Sequence, residues 1–152
     1  MTWASDGNLY TSMNDGFGWK DMPEFDGRFY NSRVYVIKGD APNHSFHHLA
    51  EYPNLENDFT GQNTITRYYG FGILAVEDRI YNFMGTLKDP VGALENAFIG
   101  VKLIYSEDNG KTWKNQDGSS PVIWEKWEDR NKDNMLFFHE PDSVSGQPKS
   151  EY

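Results

Sequence analysis

Apolar and polar positions alternate along this chain in short runs separated by Gly, Asp, Asn or Pro, a pattern of strands rather than helices. Thr2-Trp3-Ala4 and the run from Leu9 to Met13 flank Asp6-Gly7-Asn8, which predicts a hairpin. Arg33-Val34-Tyr35-Val36-Ile37 alternates cleanly and ends at Gly39-Asp40. Gly72 to Val76 runs into the acidic turn Glu77-Asp78-Arg79 and returns as Ile80 to Met84. Val101 to Tyr105 leads into a further turn that exits through Thr112-Trp113, and a strand-like run recurs at Met135 to Phe138. Helical periodicity is nearly absent, and Val91 to Phe98 has room for one or two turns. The expected class is all-β.

An internal repeat sharpens that expectation. Ala4-Ser5-Asp6-Gly7-Asn8-Leu9-Tyr10 aligns without gaps to Ala75-Val76-Glu77-Asp78-Arg79-Ile80-Tyr81, at an offset of 71 residues. Each copy is strand, acidic turn, strand, and each is followed by a later strand near 33–37 or 101–105. About four strands then fill each repeat, as in a β-propeller blade. Blade-like repeats are expected over about 1–71 and 72–134, with 135–152 as the start of a third blade or a tail. Propellers close with roughly four to eight blades. The single domain 1–152 is therefore expected to be a partial propeller of about two blades: a fragment, a truncated product or part of an assembly.

Composition narrows the partners. Aromatic residues make up 16% of the chain, with 5 Trp, 9 Tyr and 10 Phe. Such rings suit a sheet core, and they also suit sugar sites, where a pyranose face stacks on a ring. The net charge is −9 and no Lys/Arg cluster occurs, which argues against a nucleic-acid partner. Apolar runs are only a few residues long and the mean hydropathy is −0.74, so no membrane-spanning helix is expected. Cysteine is absent, which removes disulfides and thiolate metal sites. No signal-peptide pattern opens the chain, and one glycosylation sequon stands at Asn43-His44-Ser45.

Ser106-Glu107-Asp108-Asn109-Gly110-Lys111-Thr112-Trp113 matches every fixed position of the pattern S-x-D-x-G-x-T-W. Asp108 can accept backbone N–H bonds within the turn, and Gly110 supplies a backbone conformation other residues resist. Thr112 begins the next strand and Trp113 packs beneath the turn. This resembles the Asp boxes (BNR repeats) of sialidases and other propeller glycosidases, a structural motif that also occurs in non-enzymes. Trp3 to Tyr10 followed by Asn14-Asp15-Gly16-Phe17-Gly18 resembles the opening of a five-bladed propeller family related to endo-D-arabinanases. Arg67-Tyr68-Tyr69-Gly70-Phe71-Gly72-Ile73-Leu74 and Met135 to Pro141 are similar to later segments of that family, so the resemblance covers most of the chain. It implies a carbohydrate ligand, an extracellular or cell-surface setting and about five blades, of which the C-terminal ones are missing here. A true sialidase is a poorer match. The chain has five arginines, Arg28, Arg33, Arg67, Arg79 and Arg130, and no Arg-Ile-Pro-like segment before the first strand.

The resemblance also sorts the acids. In such glycosidases the substrate uses the side of the disc opposite the Asp boxes, so Asp6, Glu77, Asp78 and Asp108 read as turn residues. Asp15 follows the second strand of the first repeat, in a glycine-rich loop on the substrate side, and Asp21, Glu24 and Asp26 share that loop. Asp89 is its counterpart in the second repeat, and Glu140 stands between His139 and Pro141 beyond the last strand. Glycoside hydrolysis generally uses two carboxyl groups, and Asp15 with Glu140 is the preferred catalytic pair. Against this stand plainer readings: an ordinary glycine-rich β-turn for Asp15, a solvated loop for Asp89 and a structural role for Glu140. Arg67, Tyr68, Tyr69, Phe17 and Trp19 are candidate substrate contacts, although such rings more often pack. No cofactor is expected. Adjacent His47 and His48 would point to opposite faces of a strand and give no metal motif, while a Ca²⁺ ion in a propeller channel remains an alternative. Two functions follow: a glycoside hydrolase working through paired carboxylates, or a non-catalytic carbohydrate- or protein-binding module.

Overall fold

The computed structural model describes residues 1–22, 24–56, 68–87, 98–124 and 136–137. These form two antiparallel sheets, and no helix occurs among the described residues. The first sheet is a meander of β1 (Thr2–Trp3), β2 (Leu9–Gly16), β3 (Tyr30–Lys38) and β4 (Ser45–His48). A short β5 (Leu55–Glu56) pairs with the near half of β3, below β4. The second sheet repeats this plan with β6 (Tyr68–Val76), β7 (Arg79–Leu87) and β8 (Phe98–Ser106). There β9 (Lys114–Asn115) and β10 (Leu136–Phe137) share the free edge of β8, as β4 and β5 share that of β3. Leu136-Phe137, in the stretch expected to be the start of a third blade or a tail, pairs with β8 of the second sheet.

The short alternating runs do become strands, but most are longer than their apolar stretches. β2 extends through Asn14 and Asp15 to Gly16, and β6 begins at Tyr68 rather than Gly72. Polar side chains also tie the two sheets together. The Asn14 amide donates to the Gly70 carbonyl at 2.6 Å, and the Ala75 N–H donates to Thr2 Oγ1 at 2.9 Å.

The gapless internal alignment does not survive in the register. Trp3 pairs with Leu9 across residues 4–8, whereas Val76 pairs with Arg79 across Glu77 and Asp78 alone. Glu77 turns with φ at +53°, as a two-residue hairpin of the favoured twist requires. The structural counterpart of buried Tyr10 is therefore buried Ile80, and Tyr81 lies on the opposite face.

The two sheets meet face to face. Tyr10, Val34, Val36, Leu49 and Tyr52 from the first pack against Tyr68, Ile73, Ile80, Met84, Ile104 and Trp113 from the second. Full burial of a side chain such as Val34 or Ile104 contributes roughly 1.5–3 kcal/mol, so this interface is the main source of stability. Polar groups inside it are tied together. The Tyr52 hydroxyl lies 2.9 Å from Ser32 Oγ and accepts from Asn82 Nδ2 at 2.8 Å. Complete burial raises its pKa against those two bonds, so it stays neutral.

Candidate functional site

Strand alternation in β3 creates the site. Ser32, Val34 and Val36 face the inter-sheet core, so Asn31, Arg33 and Tyr35 point to the outer face of the first sheet. The loop between β2 and β3 folds back over that face through two successive turns. The Met22 N–H bonds the Trp19 carbonyl and the Phe25 N–H bonds the Met22 carbonyl. Gly18 lets the loop descend this far. It has φ at +83°, and a Cβ there would lie 2.8 Å from the Tyr35 hydroxyl. Trp19 then sets its edge against Tyr35 (5.0 Å, 84°) and Phe46 (4.5 Å, 82°), while Tyr35 and Phe46 stack at 5.4 Å.

Between loop and sheet lies a half-open cleft walled by Phe17, Trp19, Phe25 and Tyr35, with Glu24, Arg33 and His48 among them. It leaves about 10 Å³ for the centre of a water-sized body, enough for one water or one hydroxyl group. Phe17 and Trp19 remain 53% and 47% exposed at its rim.

The charges here are fixed by neighbours. Arg33 is only 4% exposed; its guanidinium covers the Tyr30 ring at 4.0 Å and reaches Asp26 Oδ1 at 3.8 Å. Burial opposes ionisation of Asp26, but a 2.6 Å bond from the Tyr30 hydroxyl, the Arg28 N–H and the Arg33 charge hold its pKa low. Glu24 behaves likewise: burial opposes ionisation, and the bond with His47 Nδ1 at 3.2 Å outweighs it. Burial pushes His48 down despite its 3.1 Å contact with Asn54 Oδ1, so it favours the neutral form. Burial also raises the Tyr35 phenol, with the Arg33 charge opposing. Three polar atoms in this cluster are buried without a well-formed hydrogen bond: Glu24 Oε2, Arg33 Nε and Tyr35 Oη. The cleft is therefore chiefly an aromatic surface, with these polar groups packed behind it.

The expected site residues scatter around this centre. Phe17 and Trp19 are at the rim, and Glu24 is in the wall. Asp15 is the penultimate residue of β2, on the same outer face; it has φ at +39° and its Oδ1 accepts from Asn31 Nδ2 at 3.0 Å. Asp21 is exposed in the loop. Tyr68 is wholly buried between the sheets, its ring against Trp124 at 5.3 Å, and Tyr69 is half-buried in β6. Arg67, Asp89 and Glu140 lie outside the described residues. Sequence reasoning passed over Arg33, Tyr35 and His48. The signal was present in Arg33-Val34-Tyr35-Val36, where the polar and aromatic members share one face and the valines share the other.

The Ser106–Trp113 turn sits elsewhere, at the opposite end of the sheets from Asp15. Asp108 Oδ1 accepts from Ser106 Oγ and from the Thr112 N–H, both at 2.8 Å, and Oδ2 accepts from Thr112 Oγ1 at 2.7 Å. Burial opposes ionisation of Asp108, but these bonds together hold its pKa low. The Gly110 N–H donates to Ser106 Oγ at 2.8 Å, and Trp113 Nε1–H donates to the Gly110 carbonyl at 3.0 Å. Trp113 also meets Tyr52 edge to face at 5.1 Å, and Tyr10 Oη lies 3.1 Å from the Asn109 carbonyl. The turn is thereby pinned onto the first sheet. Asp6 does a similar task, accepting from the Asn8 N–H at 3.0 Å and from the Tyr10 hydroxyl at 2.8 Å.

Among the described residues no group of three or more His, Asp and Glu side chains is placed to hold a metal ion, and no helix is long and apolar enough to cross a membrane. No protein-family model, curated protein or solved structure matches the chain.

Proposed function

We propose that this chain is a carbohydrate-binding protein built of propeller-type blades, with sugar met at the cleft beneath the β2–β3 loop. The observation that carries this reading is the cleft itself, where half-exposed Trp19 and Phe17 stand beside Glu24, Arg33 and Tyr35. A sugar presents a C–H face to such rings and hydroxyls to such polar atoms. Two features support the propeller part. Each sheet is an antiparallel meander stacked on the other by a broad apolar face. The second sheet also leaves Leu74, Val76 and Phe83 exposed on its outer face, as a blade does where another would stack. An extracellular or cell-surface setting, where polysaccharides are met, accords with this reading.

A second reading, hydrolysis by paired carboxylates, is favoured by Asp15. It stands on the same outer face as the cleft, is tethered to Asn31 two residues before Arg33, and holds a backbone conformation that side chains rarely adopt. Glu140 and Asp89 are its candidate partners. Affinity electrophoresis through gels containing neutral polysaccharides tests binding, and release of reducing ends tests hydrolysis. Retardation of the wild type that is lost in Trp19→Ala supports the binding reading; equal mobility with and without every polysaccharide sinks it. Reducing-end release abolished by Asp15→Asn, with binding retained, would establish the second reading.

A further inference from the structure

We propose that the outer face of the second sheet docks a second copy of this chain across a two-fold axis, an inference that does not depend on what the cleft binds. Alternation in β6 and β7 turns Ile73, Ile80 and Met84 into the inter-sheet core, so Leu74, Val76, Tyr81 and Phe83 face away from it. Leu74, Val76 and Phe83 are 50%, 49% and 40% exposed. The first sheet covers its own outer face with the β2–β3 loop, where Trp19 packs on Tyr35 and Phe46. No described segment of the chain does this for the second sheet. A contiguous apolar face of that kind marks an interaction surface.

The register identifies the occupant. Gly72 pairs with Phe83, Leu74 with Tyr81 and Val76 with Arg79, which gives three rows with Leu74–Tyr81 in the middle. A two-fold axis crossing the strands at that middle row sets Leu74 against its own copy, Gly72 against Val76 and Phe83 against Arg79. Each of these pairs is complementary. Gly72 leaves a hollow, since a Cβ there would meet nothing within 4 Å, and the Val76 side chain of the other copy fills it. Arg79 brings its guanidinium to the Phe83 ring, a cation–π contact. That guanidinium is held by Glu107 at 2.6 Å and overlies the Tyr105 ring at 5.5 Å, yet the side chain stays half exposed. The same axis carries the turn acids Glu77 and Asp78 of the two copies to opposite ends of the contact. A chain of net charge −9 thus meets itself with these like charges apart. A sheet laid on this face continues the packing that the strands already show on their inner side, where the first sheet lies. The aromatic cleft is on the outer face of the first sheet, so the dimer carries two clefts that face away from each other.

Sedimentation equilibrium of the full chain, from low micromolar to near-millimolar concentration, tests the contact. The face is small, so a dimer with a dissociation constant on the order of tens to hundreds of micromolar is expected. Leu74→Lys sets two cations together at the axis and should weaken the dimer about tenfold or more. A thermal melt checks that a change at this half-exposed position leaves the fold intact. The chain has no cysteine, so single cysteines read the geometry directly. Leu74→Cys should form a disulfide-linked dimer under mild oxidation, because this position meets its own copy. Val76→Cys, on the same face and as exposed, should link severalfold more slowly. It faces Gly72, and its own copy lies roughly 13 Å away along the strand, beyond disulfide reach. A chain that stays monomeric at every concentration overturns the proposal. So does a dimer that Leu74→Lys leaves unchanged, or one in which Val76→Cys links as fast as Leu74→Cys.

Discussion

A Cβ placed on Gly110 would lie 2.6 Å from Leu49 Cδ2, so the Ser106–Trp113 turn and the first sheet are in contact through a position only glycine can fill. Gly110 also has φ at +84°. Gly110→Ala therefore meets two penalties at once, a strained backbone and an overpacked interface. A loss of about 2–4 kcal/mol is expected, read as a lower urea midpoint with an unchanged slope. Leu49→Ala is itself costly as a core truncation, but combined with Gly110→Ala the total loss should fall short of the sum, because the clashing methyls are gone. Full additivity of the two losses would argue against this contact.

The same turn makes acid stability a property of Asp108. Its folded-state pKa lies below the ordinary 3.8, so its contribution is fully present above about pH 4 and is lost as pH falls through the folded value. Asp108→Asn keeps the shape but removes the charge that three donors address. It is expected to cost about 1–3 kcal/mol near neutral pH and to flatten the decline in stability below pH 4. Thermal melts from pH 7 to pH 2.5 check this; parallel profiles for the two proteins would count against it.

Tyr52 supplies a test of the inter-sheet core. Its hydroxyl lies within 2.9 Å of Ser32 Oγ and accepts from Asn82, whose own carbonyl oxygen is buried without a partner. Tyr52→Phe removes both of those bonds and leaves Asn82 Nδ2 buried without its partner, at a cost of about 1–3 kcal/mol. Guanidinium unfolding measures it. A neutral or stabilising outcome would show that water satisfies these groups instead.

Asn115 orders the segment that carries Trp124 back to Tyr68. Its Nδ2 bonds Ser119 O, Ser119 Oγ and Pro121 O, and its Oδ1 accepts from the Ile123 N–H. Asn115→Asp sets a carboxylate against two carbonyls, so it should destabilise more than Asn115→Ala. Ranked melting temperatures decide the matter, and the reverse order would contradict the assigned role.

The strands were legible in the sequence because their two-residue alternation is a direct trace of having two faces. Arg33 to Ile37 and Ile80 to Met84 are found where that pattern places them, and the turn at Ser106–Trp113 was marked by its own residues. Register was not legible. Tyr10 and Tyr81 look equivalent along the chain, yet the turns before them differ in length and send them to opposite faces. The cleft was half legible: Phe17 and Trp19 announce themselves as rings in a glycine-rich loop. Arg33 and Tyr35 do not, because a lone charge in an apolar strand gains meaning only when a distant loop folds over it. Tyr68 shows the converse, an aromatic whose loop-like surroundings hid a core position.

The most direct test of the account is an NMR titration that follows side-chain N–H signals as a neutral trisaccharide is added. Trp19 Nε1–H and Arg33 Nε–H should shift together and saturate with one affinity, while Trp113 Nε1–H, bonded inside the distant turn, stays in place. Saturation that moves neither Trp19 nor Arg33 would contradict it.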